Sequence, residues 1–160
     1  MSDALAQETI DYVAIRRLQS AYADSVTRRA WSELDDLFLP DATVTVDTVT
    51  SEPILLTGGG AVGDFIAAAV ERFEFFEMVI LNAVVDLAVD GDADLAHGRQ
   101  FTCELRQDKS NGRWTNAYGM YQDDYARRAG RWWFARRRYQ SIARTGRAEV
   151  FPFSTRPGFD

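Results

Sequence analysis

The sequence predicts an α+β fold in which helices cover one face of a bent, mostly antiparallel sheet. Two observations support it: helical periodicity is confined to the first half of the chain, and four long stretches with strand character fill the second half. Consecutive strands joined by short turns pair as antiparallel hairpins. Helices that precede such a meander are expected to pack on one of its faces.

The first half contains three predicted helices and one strand. Apolar residues recur at helical spacing from Ile10 to Val26, and Thr9 is the predicted N-cap of that helix. Pro40 and Asp41 end a second, short helix, and Gly58–Gly60 predicts a turn before the third. The predicted helices span about 8–28, 31–38 and 61–76, and the β-branched alternation at Ala42–Val49 predicts the strand.

The second half reads as a meander of four strands. Asp90-Gly91-Asp92, Ser110-Asn111-Gly112 and Ala129-Gly130 supply the turns between them. The predicted strands are Met78–Val89, Ala93–Gln107, Trp114–Arg127 and Trp132–Ala143.

Composition excludes several classes of protein. The 160 residues are 46% hydrophobic, and this length and composition predict one domain over 1–160. A single cysteine, Cys103, excludes an intrachain disulfide, and a single histidine, His97, excludes a histidine metal cluster. No apolar run is long enough for a bilayer, and the acidic start lacks the features of a signal peptide. We therefore expect a cytoplasmic protein that needs no metal or cofactor and does not bind membranes.

The net charge of −6 hides an uneven distribution. Residues 1–125 contain 22 acidic and 9 basic residues, whereas 126–148 contain eight arginines and no acid. Such a split can mark a nucleic-acid-binding arm. The arginines interleave with Trp132, Trp133, Phe134 and Tyr139, however, which favours a folded strand. Its arginines are expected to pair with acids of earlier strands, such as Asp123, or to lie at a subunit contact. Nucleic-acid binding is therefore the least favoured function.

Two polar residues share a strand face with apolar or aromatic residues, because alternate residues of a strand point to the same side. Asp123 alternates with Tyr121 and Tyr125, which predicts either a buried acid or an ion pair with Arg136 or Arg138 of the next strand. His97 shares its parity with Leu95, Phe101, Cys103 and Leu105, which predicts that it points toward the apolar side of the sheet.

Four motifs in this order resemble a known family: YADSVTRRAWSELDDLF-x-PDATV, then the Gly turn and helix, then NAVVDLAVDGDA, then YQDDYARRAGRWWFARRRY. Together they resemble the SnoaL-like branch of the nuclear transport factor 2-like superfamily, over roughly residues 8–145. The resemblance implies a single SnoaL-like domain with a core at about 8–145 and a C-terminal extension. Scytalone dehydratase, dehydrochlorinases, bile-acid dehydratases and ketosteroid isomerase belong to that superfamily. The resemblance implies a cone-shaped sheet that encloses a pocket for a flat, largely apolar molecule.

The resemblance also assigns site positions. The dehydratases use an Asp in the first helix and a His near the start of a strand, and these positions match Thr27 and Met78. Neither residue can act as acid or base in an elimination. The ketosteroid isomerase pattern matches Tyr22 and Asp123 as hydrogen-bond donors to an oxyanion. In direct register the base position is Val46, and the nearest carboxylate, Asp47, is offset by one residue.

The leading hypothesis is a cofactor-free lyase or isomerase acting on an apolar cyclic substrate. Tyr22 and Asp123 would polarise a carbonyl group, Asp47 or His97 would accept a proton, and all four are expected to converge on one cavity. The further predicted substrate contacts are Tyr121, Met78, Thr27, Asn82, Phe101 and Arg136.

Two alternatives remain open. The missing acid–base pair favours a ligand-binding or accessory protein without catalytic activity, and the fold also suits the small subunit of a ring-hydroxylating oxygenase. Phe73–Phe76 carries more apolar area than one face can bury, which favours a pocket wall or a subunit contact. We expect a homo-oligomer, a dimer or trimer, because family members commonly associate through the sheet.

Overall fold

The fold is built on one curved, unclosed sheet, seen in a computed structural model that describes residues 2–146 and 149–152. Arg147 and residues 153–160, part of the predicted extension, lie outside the described residues. The strands are β1 (Phe38–Asp47), β2 (Ile54–Thr57), β3 (Phe73–Leu87), β4 (Leu95–Asp108), β5 (Trp114–Arg128), β6 (Arg131–Arg144) and β7 (Glu149–Val150).

The helices precede the meander, as predicted, and the α+β fold class is confirmed. They are α1 (Asp3–Arg28), a 3-10 helix (Trp31–Asp36) and α2 (Gly58–Val70), with a further 3-10 turn at Val89–Gly91. The side of the sheet that α1 and α2 cover is called the inner face below, and the opposite side is called the outer face.

The sheet order is β2-β1-β6-β5-β4-β3, and β7 also pairs with β6. β3 to β6 form the predicted antiparallel meander, whereas β1 joins β6 in parallel. Register shifts interrupt the pairing at Ile80/Asn82, Tyr118/Gly119 and Asp124/Tyr125. Bulges of this kind bend a sheet, and here they accompany its curvature around the helices.

Aromatic side chains make the central contact between α1 and the sheet. The Tyr22 ring lies edge-on to Phe38, Tyr121 and Phe134, with ring centroids 6.0, 5.9 and 5.9 Å away. All four side chains are buried. Such edge-to-face contacts add to the stabilisation from burial of apolar area, and they fix the position of α1 over β5 and β6.

The start of α1 differs from the prediction. The helix begins at Asp3, five residues earlier than expected, and the Ser2 hydroxyl accepts a hydrogen bond from the Leu5 N–H at 3.4 Å. Thr9 lies inside the helix, where its hydroxyl donates to the Leu5 carbonyl. Ser2 is therefore the N-cap, because its backbone is extended and its side chain faces a free N–H group.

The region around α2 departs most from the prediction. Gly58–Gly60 is the first turn of α2 instead of a separate turn, and a Cβ atom at Gly59 would collide with the Leu34 backbone of the 3-10 helix. Only glycine allows this close packing of two helices. α2 ends at Val70, and Phe73–Phe76 belongs to β3 instead of the predicted helix end.

The first two strands also differ from the prediction. β1 begins at Phe38 and continues through Pro40, which lacks an N–H group. The chain accommodates Pro40 because the β1–β6 pairing is irregular between Phe38 and Thr43. β2, a four-residue strand beside β1, was not predicted from the sequence.

Candidate active site

A cavity of about 280 Å³ lies between the helices and one end of the inner face. Tyr22 and Val26 of α1, and five side chains of α2, form its helical wall. The sheet contributes mostly apolar side chains and a few polar ones: Val44, Val46, Leu56, Phe73, Phe76, Met78, Glu104, Arg106, Tyr121 and Tyr139. A mostly apolar concave site with a few polar groups is typical of small-molecule binding.

Three tyrosines, Tyr22, Tyr121 and Tyr139, line this cavity. Burial raises the pKa of Tyr22, and the guanidinium of Arg137 opposes that shift only in part. Burial likewise raises the pKa of Tyr121 and of Tyr139. All three phenols therefore remain protonated near neutral pH and can donate a hydrogen bond to an oxygen atom of a ligand.

Glu104 is the carboxyl group of the cavity. It lies on β4 directly opposite Met78 of β3. Burial raises the pKa of Glu104, while Arg106 and Arg144 partly oppose that rise. A carboxyl group whose pKa is shifted toward neutrality can exchange protons with a bound molecule.

Glu104 and Arg106 form a loose pair two residues apart on β4. The Arg106 Nη1 atom lies 3.6 Å from a Glu104 oxygen, beyond hydrogen-bond distance. The buried Arg106 Nε atom has no hydrogen-bond partner among the described residues. This pair therefore keeps hydrogen-bonding capacity that a ligand could use.

The two positions that the family resemblance assigned to the acid–base dyad do meet. The Met78 backbone N–H donates to the Thr27 hydroxyl at 3.0 Å, and the Met78 side chain lines the cavity. The fold thus brings these two positions together, but neither side chain can transfer a proton near neutral pH.

Asp123 lies outside this cavity, in a completely buried ion pair. Its two carboxylate oxygens accept hydrogen bonds from Arg137 Nε at 2.8 Å and Arg137 Nη2 at 2.9 Å. The Tyr125 hydroxyl donates a further bond at 2.8 Å, and both charged side chains are 0% exposed. Burial alone would lower the pKa of Arg137, but the Asp123 carboxylate more than compensates and raises it.

This pair corrects two predictions about Asp123. Its partner is Arg137, directly opposite on β6, instead of Arg136 or Arg138. Those two arginines lie on the outer face, where they approach Asp124 at 3.6 Å and Asp47 at 3.0 Å. With both oxygens occupied, Asp123 is placed to hold Arg137, and not to donate to a ligand in the cavity.

The remaining predicted site residues lie on the outer face, away from the cavity. Asp47 pairs with Arg138 on the outer face, whereas the neighbouring Val46 lines the cavity, because adjacent residues of a strand point to opposite faces. His97 lies 3.3 Å from Asp124. The prediction that His97 points toward the cavity is wrong.

Asn82, Phe101 and Arg136 are likewise placed on the outer face. Asn82 pairs with Phe101 because the register shift between Ile80 and Asn82 reverses the alternation along β3. Arg136 is 60% exposed. Of the ten predicted side chains, Tyr22, Tyr121 and Met78 line the cavity, and Thr27 contacts the Met78 backbone.

Glu104, Arg106 and Tyr139 line the cavity but were not predicted from the sequence. The even-numbered residues of β4 face inward, among them Gly98, Gln100, Glu104 and Arg106. This alternation is the signal in the sequence that could have identified Glu104 and Arg106. The apolar side chains of β4 predict the opposite face as the inner one, but α1 covers the face of Gly98, where a Cβ atom would come within 2.7 Å of the Tyr125 ring. The inner face of β4 therefore carries small residues under α1 and polar residues at the cavity.

In the arginine-rich stretch, Arg136, Arg137 and Arg138 pair with acids of earlier strands, as predicted, and other arginines pair with acids outside those strands. Arg127 donates to Asp11 of α1 at 2.8 Å and to Asp94 at 2.7 Å, and Arg144 pairs with Glu149 at 3.2 Å. Phe73 and Phe76 line the cavity, as a pocket wall would, while Phe75 is partly exposed and contacts Trp114. No three described residues form a metal-binding group, and no described helix is long and apolar enough to cross a membrane.

A sequence profile of the SnoaL-like domain matches residues 7–138. The chain belongs to the SnoaL-like domain family. A sequence search of curated proteins finds no match. Many solved structures share the fold.

Three of these solved structures illustrate the likeness. A type 2 hexachlorocyclohexane dehydrochlorinase, LinA, is 18% identical, with a TM-score of 0.77 over 96% of this chain and 98% of that chain. The type 3 LinA from Novosphingobium barchaimii is 20% identical, with a TM-score of 0.75 over 92% and 99%. An NTF2-like protein with a cystatin-like fold from Novosphingobium aromaticivorans is 17% identical, with a TM-score of 0.73 over 91% and 90%. At these identities the likeness establishes the fold and leaves the chemistry to be argued from this chain's own residues.

Proposed function

We propose that this protein is an enzyme of the lyase or isomerase type that moves a proton on a small, largely apolar, cyclic substrate held in the inner cavity. The observation that carries the proposal is Glu104, a carboxyl group with a raised pKa in the wall of an otherwise mostly apolar cavity. The solved structures of the same fold that are named as dehydrochlorinases are compatible with this type of reaction.

Glu104 takes the role that the sequence suggested for Asp47 or His97. Its carboxylate removes a proton from a carbon next to a substrate carbonyl, and the electron pair of that C–H bond moves to the carbonyl oxygen. Hydrogen bonds from the protonated tyrosines, Tyr22, Tyr121 and Tyr139, support the oxyanion that forms. Return of the proton at another carbon completes an isomerisation, and loss of a neighbouring leaving group completes an elimination.

Hydrogen–deuterium exchange tests this step without knowledge of the natural substrate. Cyclic ketones are incubated with the protein in D₂O, and loss of the α-proton signal is followed by NMR. Replacing Glu104 by Gln should slow the protein-catalysed exchange by about 10²–10⁴-fold, the usual contribution of general acid–base catalysis. The matched control is Glu77→Gln, which removes a carboxyl group from the outer face of β3 and should leave the rate unchanged.

The pH dependence of the exchange gives a second test. A base works as its carboxylate, so the rate should rise with pH through the raised pKa of Glu104 and then level off. The Glu104→Gln variant should lose this rise. Equal rates in Glu104→Gln and the wild-type protein would contradict the assignment of Glu104.

The alternative is a protein that binds such molecules without turning them over. The replacement of the dyad by Thr27 and Met78 favours it. Ketones that bind in the cavity and exchange no faster than in buffer would establish this alternative. The predicted homo-oligomer remains a separate proposal, to be checked by the molar mass in solution.

A further inference from the structure

A second concave site, called the arginine cleft below, adjoins the apolar cavity. It has a volume of about 330 Å³ and lies where the start of β3 meets the β4–β5 turn and the end of β6. Four arginines line it, and Asp108 is the single acidic side chain among the lining residues. The arginines are Arg72, Arg106, Arg113 and Arg144. This concentration of positive charge contrasts with a net charge of −6 for the chain.

The arginine cleft and the cavity share a wall. Arg72, Phe73 and Arg106 line both spaces. The guanidinium groups of Arg72 and Arg106 lie 5.4 and 5.2 Å from the centroid of the Phe73 ring. A molecule in the cavity therefore ends beside two arginines that also face the cleft.

Of the cleft arginines, Arg72 is bonded to Asp108 and Arg144 to Glu149, Thr48 and Ser141, whereas Arg106 keeps a hydrogen-bond donor available. Asp108 accepts bonds from Ser110 and Arg72, and these contacts lower its pKa. Arg106 meets Glu104 only at 3.6 Å, and its buried Nε atom has no hydrogen-bond partner among the described residues. A buried donor without a partner is costly, and a bound acceptor would satisfy it.

We infer that the arginine cleft binds the anionic arm of the substrate, a carboxylate or phosphate attached to the ring that occupies the cavity. Planar guanidinium groups match the paired oxygens of both anions. The inference rests on the proposed function, because it takes the cavity as the site of the ring. It narrows the substrate class from apolar cyclic molecules to amphipathic ones with one acidic arm.

The test compares probes that share a ring and differ in charge. Binding of 2-naphthylacetate, 2-naphthyl phosphate and the neutral 2-naphthylacetamide is measured by titration calorimetry at low and high salt. At low salt at least one anion should bind about tenfold or more tightly than the amide, and salt should weaken only the anions. The anion that binds more tightly identifies the arm.

Variants of single arginines show which side chains bind the anion. Arg113→Gln, at a residue that lines the cleft but not the cavity, should weaken binding of the anion about tenfold and change binding of the amide by less than twofold. Arg106→Gln should also weaken binding of the anion about tenfold. The matched control is Arg128→Gln, an exposed arginine at the end of β5 outside the cleft. It should leave binding of all three probes unchanged.

The outcomes separate this inference from the proposed function. Equal binding of anions and amide would overturn the anionic subsite and leave the cavity as a binding site for rings. Binding of anions that survives Ala69→Trp, a substitution designed to block the cavity at an exposed lining residue, would show that the cleft acts alone and would overturn the amphipathic substrate. Loss of amide binding in the same variant verifies that the cavity is blocked. Failure of every probe to bind would count against the cavity itself, and thus against both proposals.

Discussion

Two arginine–carboxyl pairs lie on the inner face of the same sheet, and they differ in geometry and burial. Asp123 and Arg137 are completely buried and joined by two hydrogen bonds of 2.8 and 2.9 Å. Glu104 and Arg106 are 23% and 17% exposed and approach only to 3.6 Å. In the first pair the Asp123 carboxylate is fully hydrogen-bonded within the protein, although the buried Arg137 Nη1 atom has no partner among the described residues. The second pair is loose and lines the cavity.

The surroundings of the two pairs explain the difference. The Arg137 guanidinium lies about 4 Å from the rings of Tyr22, Tyr121 and Phe134, at 4.1, 4.0 and 4.1 Å, and the Tyr125 hydroxyl completes the shell of Asp123. Arg106 instead faces the Phe73 ring and two open spaces. The same kind of arginine–carboxyl pair therefore lies within the core at Asp123 and Arg137, and in the wall of the candidate site at Glu104 and Arg106.

Removing one charge from each pair should give the largest difference in the free energy of unfolding. Asp123→Asn leaves Arg137 buried without a counterion and should lower the free energy of unfolding by about 3–5 kcal/mol. Arg106→Gln should lower it by only about 0–1 kcal/mol, because that pair is loose and partly exposed. Urea denaturation measures both.

A double variant checks the reason for that loss. Asp123→Leu combined with Arg137→Met removes both charges and should recover much of the stability, since no unpaired charge stays buried. A loss in Arg106→Gln as large as that in Asp123→Asn would contradict the distinction between the two pairs.

Removing the Tyr125 hydroxyl, which bonds to the buried pair, should have an intermediate effect on the free energy of unfolding. The Tyr125 hydroxyl donates to Asp123 at 2.8 Å and accepts from Gln19 Nε2 at 2.7 Å. Tyr125→Phe leaves the Gln19 donor buried without this partner and should lower the free energy of unfolding by about 1–3 kcal/mol. Tyr12→Phe, at a 41% exposed position on α1, is the control and should change it by less than about 0.5 kcal/mol. Similar losses in both variants would argue against a cooperative buried network.

The smallest effect on the free energy of unfolding should come from protonation of Glu104. Its pKa is raised in the folded state, so the folded state holds the proton more tightly than the unfolded state does. The resulting contribution to stability is complete below the ordinary glutamate pKa and is lost as pH rises through the raised value. The slope cannot exceed about 1.4 kcal/mol per pH unit, the value for one proton.

Unfolding titrations from pH 4 to 8 on wild-type protein and Glu104→Gln isolate that contribution by difference. The wild-type protein should lose stability relative to Glu104→Gln as the pH increases across this range. A difference that is independent of pH would show that Glu104 has no raised pKa.

Much of the fold could be predicted from local patterns. Turn residues between long strands identified the meander of β3 to β6, and helical spacing identified α1. The glycine run at the start of α2 was misassigned because its purpose, contact with the Leu34 backbone, depends on a neighbour distant in sequence. β2 was missed because four residues give too little periodicity.

The candidate site was less predictable than the fold. Tyr22, Tyr121 and Met78 were placed correctly by strand and helix parity together with the family resemblance. His97 and Asn82 were misplaced, because parity alone does not reveal which face of β4 the helices cover or where β3 contains a bulge.

Local patterns in the sequence predict the fold class, the meander and the pairing of the basic stretch with acids, because periodicity, residue chemistry and charge are contained in a linear pattern. The positions of Thr27 and Met78 as counterparts of an Asp/His dyad are implied by the family resemblance. The tertiary structure alone decided that Asp123 holds Arg137, that Glu104 lines the cavity, and that an arginine cleft adjoins it. Those outcomes depend on which face of each strand is covered and on distances between residues far apart in the chain, and no local pattern specifies either.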